Sequence, residues 1–354
     1  MGVIPPEGED FSHATFAKKR EWQFPQFPPQ YPTVARHYPP ILRKCQVGSE
    51  NNPPFVDETY WRKYLEGCTL CTMSSTMKTA PCGNGDWTMT YDPESVKSQG
   101  TDERAIDFDQ VAHVYDLYVS TSIDIDFWAD VACRSGGPRL EMMCGTGRIS
   151  IALLRQGIAV EGLDYSRAML DVFRSRAAQA GLQAVLYHAD ARDFELNKAY
   201  GLIFIAFHSI AEVVDNEDKL RVFRQVRRHL AEEGVFWISA HNPPARRQGL
   251  DGRLVDMGHH RLPATGEDLH VTGRYHLDPS SRIVTGSQSY VFSNGEKQLR
   301  HIDLPVRFHL IDPGMLEALL AEAGLVVTER RGNYDGAIYS PKTSPFFLAC
   351  CKLA

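Results

Sequence analysis

The sequence has no long hydrophobic run. Its longest unbroken apolar stretch, Gly201 to Phe207, has the length of a strand. A membrane-spanning helix requires roughly 18 such residues or more, so a span is excluded and no membrane partner is expected. Positive charge is not in excess either: 38 lysines and arginines face 44 acidic residues, a net charge of −6. A chain that lives on phosphate contacts carries a basic surplus, so no nucleic-acid partner is expected. The opening M-G-V-I-P-P-E-G-E-D lacks the basic flank and apolar core of a secretion signal. Pro6 stands where myristoylation would want Ser or Thr. The final C-K-L-A has the spacing of a prenylation box, but the run Phe346 to Cys350 reads better as a last buried strand. Without an export signal, the eight cysteines are expected as thiols or metal ligands in a cytoplasmic protein. No internal repeat is present, and homo-oligomer formation is left open.

What the sequence does have is unevenly spread. Ten of its 21 prolines lie in the first 54 residues, clustered as F-P-Q-F-P-P-Q-Y-P from Phe24 to Pro32 and again at Pro39-Pro40 and Pro53-Pro54. Such a segment forms neither regular helix nor central strand. With Trp22, Phe24, Phe27, Tyr31 and Tyr38 it reads as an extended arm against the main body, or as a disordered tail. Cys45, Cys68, Cys71 and Cys82 include one C-x-x-C pair. A tetrahedral zinc site, a redox pair and ordinary packed cysteines all remain open there. No other residues are assigned to a metal.

From about Arg104 a regular alternation begins. A helix carrying Phe108, Val111, Val114, Tyr115 and Tyr118 leads to Gly136-Gly137-Pro138. Strands are predicted at Arg139–Met143, Ile158–Leu163, Ala184–His188, Leu202–Phe207 and Val235–Ala240. The helices between them include one capped by Ser166 and stopped by Gly181, and one that begins near Asp215 and ends before Gly234. Strands alternating with helices predict a parallel, doubly wound α/β sheet. Residues 245–267 read as loop. Three strand-like runs, His270–Leu277, Ile283–Phe292 and Leu299–Ile311, then read as an antiparallel meander with turns at D-P-S-S and S-N-G-E. Asp312-Pro313 opens a last helix ended by Gly324, and strands Leu325–Thr328 and Pro345–Cys350 close the chain. The expected organisation is an irregular N-terminal extension over 1–100, an α/β core over 101–244, an antiparallel β insertion over 245–311 and the end of the core over 312–354.

The strongest chemical signal is L-E-M-M-C-G-T-G-R, Leu140 to Arg148, where the first predicted strand meets a helix. Two glycines let a ligand approach the backbone, and the helix N-terminus offers unpaired N–H groups. Asp164, nineteen residues after Gly145, ends the second predicted strand and can accept both hydroxyls of a ribose. Ser150 stands where a nicotinamide fingerprint wants Gly or Ala. Glu141 would repel a pyrophosphate but suits a ligand carrying an ammonium and a sulfonium.

The run E-M-M-C-G-T-G-R resembles motif I of the class I S-adenosylmethionine (SAM)-dependent methyltransferases. The resemblance continues through V-E-G-L-D-Y-S, H-A-D-A-R-D-F, G-L-I-F-I-A-F-H-S-I and H-L-A-E-E-G-V-F-W-I-S, in the family's order, and covers about residues 104–353. Nothing familiar matches residues 1–100. The resemblance implies a seven-stranded Rossmann-like sheet with SAM as cofactor. It places Glu141, Gly145 and Gly147 around the methionine portion, Asp164 on the ribose and Tyr165 beside the adenine. Asp190 would take the adenine amino group, Ala191 would supply a backbone N–H, and Arg192 would lie nearby. Phe207 and His208 would sit near the sulfonium and methyl. Tyr115 would cover the methionine end, or simply pack in the core. Met142 and Met143 read as strand core.

Asn242-Pro243-Pro244 is similar to the N-P-P-aromatic motif of enzymes that methylate nucleic-acid bases. Here it follows the fifth strand and precedes Ala245, so it reads as a turn into the meander. Methyl transfer is an in-line displacement, and an amine acceptor must lose its proton first. His208 and His241 are the catalytic candidates. Tyr118, Glu212, Asn242, His301, Arg307 and His309 are the candidates for holding substrate, with Asp303 a further orienter. Glu212 and Asp215 favour a cationic or amine-bearing acceptor. G-N-Y-D-G followed by S-P-F-F-L-A-C resembles small-molecule members with an antiparallel insertion, several of which methylate nitrogen. A small-molecule methyltransferase acting on nitrogen ahead of sulfur or oxygen is therefore expected. The alternatives are a non-catalytic SAM-binding protein and a methyltransferase acting on a thiol-bound metalloid.

Overall fold

The computed structural model describes residues 106–246 and 249–354. The proline-rich segment and Cys45, Cys68, Cys71 and Cys82 lie outside the described residues.

Seven strands form the central sheet: β1 (Arg139–Met142), β2 (Glu161–Asp164), β3 (Val185–His188), β4 (Tyr200–Ile205), β5 (Leu230–His241), β10 (Leu325–Arg331) and β11 (Phe346–Leu353). Their order is β10-β11-β5-β4-β1-β2-β3. Pairings β1–β2, β1–β4, β2–β3 and β4–β5 are parallel, whereas β11 is antiparallel to both of its neighbours. The order reverses at β1 and β4, so their carboxyl ends open the crevice where doubly wound sheets bind ligands. Buried on both faces, β4 is apolar almost throughout, as parallel strands require.

Helices α1 (Ala112–Tyr118), α2 (Ile125–Arg134), α3 (Arg148–Arg155), α4 (Arg167–Gln179), α5 (Asn216–His229), α6 (Pro243–Arg246) and α7 (Pro313–Glu322) surround the sheet. Their ends follow local chemistry. The Ser166 hydroxyl accepts from Met169 N–H at the start of α4, and Asp312 accepts from Gly314 N–H before α7. Caps of this kind contribute about 1 kcal/mol each. Gly181 takes the left-handed conformation, φ +68°, just past α4. No described helix is long and apolar enough to cross a membrane.

A separate four-stranded antiparallel sheet, β6 (Asp251–Arg261), β7 (Asp268–Leu277), β8 (Ile283–Asn294) and β9 (Lys297–His309), stands between β5 and α7 in the chain. One face carries Leu269, Val271, Tyr275, Val284, Tyr290, Phe292, Leu304 and Val306. It packs with Val111, Val114, Tyr118 and Phe207 from the core side. Phe207, two residues past the end of β4, links this cluster to the central sheet.

Three expectations are corrected. The region 245–267 is not loop: β6 runs through it, masked by two positive-φ glycines, Gly252 (+82°) and Gly258 (+114°), and by register shifts that break its period-2 pattern. The single helix expected before Gly136 is a 3₁₀ turn (Phe108–Gln110), then α1, then an unforeseen α2. Met143 is not strand core, because at φ +58° it turns out of β1, whereas Met142 is fully buried.

Candidate active site

The turn after β1 has the backbone its sequence demands. Gly145 (φ +54°) and Gly147 (φ +78°) are both left-handed, the second as the residue preceding α3. A side chain at Gly147 would collide with the Phe173 ring at 2.5 Å, whereas one at Gly145 would meet nothing within 4 Å. Gly147 therefore serves packing, and Gly145 keeps its side of the turn open. Gly145 N–H donates to Asp164 Oδ2 at 2.7 Å, and Ser166 N–H to Oδ1 at 2.9 Å. Burial still pushes the Asp164 pKa up to about 6, against the pull of those two N–H groups.

Glu141 is buried on β1 and accepts from both the N–H and the hydroxyl of Ser150. Burial raises its pKa to about 8. Glu212, in the 3₁₀ turn Ser209–Glu212, is raised to about 8 by burial and then by Asp164. Burial thus raises three carboxyls at or beyond the ends of β1, β2 and β4, an arrangement that favours a positively charged ligand.

At the end of β4, Phe207 (φ +50°) and His208 (φ +62°) are both in the left-handed region. Two adjacent non-glycine residues there cost of order 1–3 kcal/mol each, and such strain concentrates at functional sites. His208 N–H donates to Ser239 Oγ at 3.2 Å. Its ring lies 3.9 Å from that of His241 and 4.9 Å from that of Phe346, and Nδ1 is buried without a hydrogen-bond partner. Burial, with help from Arg246 and Arg148, lowers the His208 pKa to about 3. Burial and His208 itself hold His241 well below the usual range. Both imidazoles are neutral.

Over this site lies the α1 segment. Tyr115 meets Phe108 and Tyr118 edge-on, at 5.7 and 5.5 Å. Tyr118 and Tyr290 share a buried hydroxyl–hydroxyl bond of 2.7 Å that joins α1 to the four-stranded sheet. Tyr290 donates to Gln288 Oε1 at 2.6 Å, and Gln288 donates to the Tyr275 hydroxyl at 3.0 Å. The Tyr165 hydroxyl donates to the Ile106 carbonyl, so this side chain also fastens the segment before α1.

Several residues singled out from the sequence sit differently. Asn242 is a structural tie: its amide donates to the Pro341 and Ser344 carbonyls at 3.1 and 2.7 Å and accepts from the Tyr339 hydroxyl at 3.2 Å. Asp190 carries the Arg192 guanidinium, which also reaches Asp218 at the start of α5. Ala191 is buried in the core. His301, Arg307 and His309 occupy odd positions of β9, whereas Ile302, Leu304, Val306 and Phe308 belong to the inner cluster. Alternation therefore turns all three away from Tyr118 and Tyr290. His301 bonds Ser289 and Asp303 outside, and His309 Nδ1 packs against Lys219 Nζ at 3.1 Å. Asp303 shares that outer face.

The sequence reading missed the fastening of the α1–α2 segment. Arg148 pairs with Asp124 and donates to the Thr121 carbonyl, and its guanidinium lies 4.5 Å over the Phe207 ring. Asp116 accepts from the Thr146 hydroxyl at 2.6 Å and pairs with Arg176 at 2.8 Å. The one available signal was Arg148 itself, next to the second glycine of the turn.

These features define a class. Residues 140–234 match the family described as a methyltransferase domain. The chain is 25% identical over 210 residues to the cypemycin N-terminal methyltransferase of a Streptomyces species, covering 58% of this chain and 78% of that protein. It is 30% identical over 138 residues to the dTDP-3-amino-3,6-dideoxy-alpha-D-glucopyranose N,N-dimethyltransferase of Streptomyces fradiae, covering 36% of this chain and 52% of that one. The fold matches an S-adenosylmethionine-dependent methyltransferase from Clostridium acetobutylicum with a TM-score of 0.58 at 20% identity, over 70% of this chain and 99% of the other. The chain carries a class I SAM-dependent methyltransferase domain and is an enzyme of that class, with SAM as its cofactor.

The residues present fit that cofactor. Gly145 leaves an open approach, two backbone N–H groups hold the Asp164 carboxylate in place, and the buried acids suit a cation.

Proposed function

We propose that this enzyme methylates a nitrogen atom of a small-molecule acceptor held between the carboxyl edge of the central sheet and the inner face of the four-stranded sheet. Glu141, Gly145 and Asp164 would bind the cofactor, with Tyr115 and Phe207 enclosing it, Tyr165 flanking it and Gly147 packing the turn from behind. When bound there, it supplies an electrophilic methyl group on a sulfonium.

The observation that carries the reading is His208. A buried neutral imidazole whose Nδ1 has no hydrogen-bond partner, on a strained turn at the end of β4, is suited to accept an N–H bond and aim a nitrogen lone pair. Its pKa of about 3 makes it an orienting group and not a proton store. The proton shed by the acceptor nitrogen needs a group of higher affinity, and Glu212, once ionised above about pH 8, is suited to take it. His241 lies tilted against His208, 33° between the ring planes, and would hold its ring. Tyr118, Tyr290 and Gln288 would present hydroxyl and amide groups to a polar acceptor. The two Streptomyces relatives, whose names describe methylation at an N-terminus and at an amino sugar, support nitrogen.

The test is transfer of labelled methyl from SAM to a matched panel of amino sugars, N-terminal amines, thiols and phenols. Label confined to the amines is expected. Label confined to thiols or phenols overturns the assignment to nitrogen and leaves the class of enzyme intact.

A further inference from the structure

We propose that Asp256, His259 and His270 form a binding site for a divalent transition-metal cation of the zinc type, on the outer face of the four-stranded sheet. Their spacing in sequence matches no ligand pattern; the sheet assembles them. His259 on β6 pairs directly with His270 on β7, and the rings stack at 3.8 Å with 13° between their planes. In a regular strand Asp256 would face the opposite side from His259, three residues away. The register shift between Asp256 and Gly258 inserts one extra residue, with Gly258 at φ +114°, and so places Asp256 opposite Thr272, on the histidines' face. The bulge completes a three-ligand set.

The donor geometry is close to that of a shared ion. One donor atom from each side chain lies within 4.8 Å of the others, and His270 Nε2 already touches Asp256 Oδ1 at 3.1 Å. A zinc-type ion holds imidazole nitrogens at about 2.0–2.1 Å, so donors sharing it stand up to about 4 Å apart. Rotation about side-chain bonds closes the difference without moving the backbone. Gly258 N–H donates to Asp256 Oδ1 at 2.9 Å and steadies the carboxylate from behind. Two imidazoles and a carboxylate suit zinc, nickel, copper or cobalt better than calcium or magnesium. Three protein ligands leave a coordination position for water or a further ligand. β6 pairs only with β7, so an ion here would clip the edge strand to its neighbour.

The test is a cobalt(II) titration of the full chain after removal of endogenous metal, followed by absorption spectroscopy. Thiolate coordination produces a sulfur-to-metal charge-transfer band, which separates any binding at cysteines from binding at imidazole and carboxylate. One equivalent without that band is expected, with a rise in Tm on saturation. His259→Ala and His270→Asn should each weaken it at least tenfold, and Asp256→Asn should weaken it several-fold. His301→Ala, on the same outer face, should leave it unchanged. These residues are largely exposed, and circular dichroism on each variant verifies the fold. A band-free component equal in wild type, His259→Ala and His270→Asn overturns the proposal, as does wild-type binding that is entirely of thiolate type.

Discussion

Arg148 donates through Nη1 and Nη2 to the two carboxylate oxygens of Asp124, at 2.6 and 2.8 Å. Asp124 is fully buried just before α2, and the Arg148 side chain is 13% exposed at the start of α3. The pair therefore ties the segment before α2 to the start of α3, beside the glycine turn proposed to receive the cofactor. Removing one partner leaves the other buried and uncompensated, which costs more than the intact pair contributes. Asp124→Asn is expected to destabilise the enzyme by about 3 kcal/mol and to weaken SAM binding, read from denaturant midpoints and calorimetric titration.

The two glycines of the turn should respond differently to alanine. Gly147→Ala places a methyl against the Phe173 ring, so stability should fall by about 2–3 kcal/mol with the left-handed backbone adding to the clash. Gly145→Ala enters open space, costs about 1 kcal/mol for its positive φ, and fills the approach to the cofactor. The expected signature is a near-normal Tm with SAM affinity down at least tenfold. A Gly145→Ala variant with wild-type affinity would remove this turn from the binding site.

Acidity gives a third prediction. Glu141 and Glu212 keep their protons up to about pH 8, and Asp164 up to about 6. Ordinary carboxyls titrate near 4, so between those limits the folded chain binds more protons than the unfolded chain. Stability of the cofactor-free enzyme should therefore fall as pH rises through this window. A sulfonium favours the ionised carboxyls, so SAM affinity should rise over the same range. The uncharged thioether product should show a flatter profile in parallel titrations.

His208→Ala should lower kcat about a hundredfold with little change in SAM affinity, because the ring is assigned to the acceptor and not to the cofactor. Glu212→Gln should flatten the alkaline rise of the pH–rate profile. Equal losses in kcat and SAM binding for His208→Ala would move that residue into the cofactor site.

Strand alternation supplies the fifth. Arg307→Ala and His301→Ala replace groups on the outer face of β9 and should leave KM for the acceptor unchanged. Tyr118→Phe and Tyr290→Phe break the inner hydroxyl pair and should each raise KM several-fold, with about 1 kcal/mol lost in stability.

What the sequence determined by itself lies along the chain. Apolar periodicity, the Ser166 and Asp312 caps, the stop glycines and the E-M-M-C-G-T-G-R turn are local signals, because each element is specified by residues a few positions apart. They sufficed for the doubly wound sheet, for the positions of Glu141 on β1, Gly145 in the turn after it and Asp164 at the end of β2, and for His208 just past the end of β4. β6 escaped because its bulges abolish the alternation that marks a strand. His301, Arg307 and His309 were misplaced because a one-residue offset in a strand exchanges the two faces, and only packing of the sheet decides which face turns inward. The tilted ring contact of His208 with His241, the Arg148–Asp124 tie and the Tyr118–Tyr290 bond unite residues 24 to 172 positions apart. Contacts at such separations leave no periodic trace, so only the tertiary structure decided them.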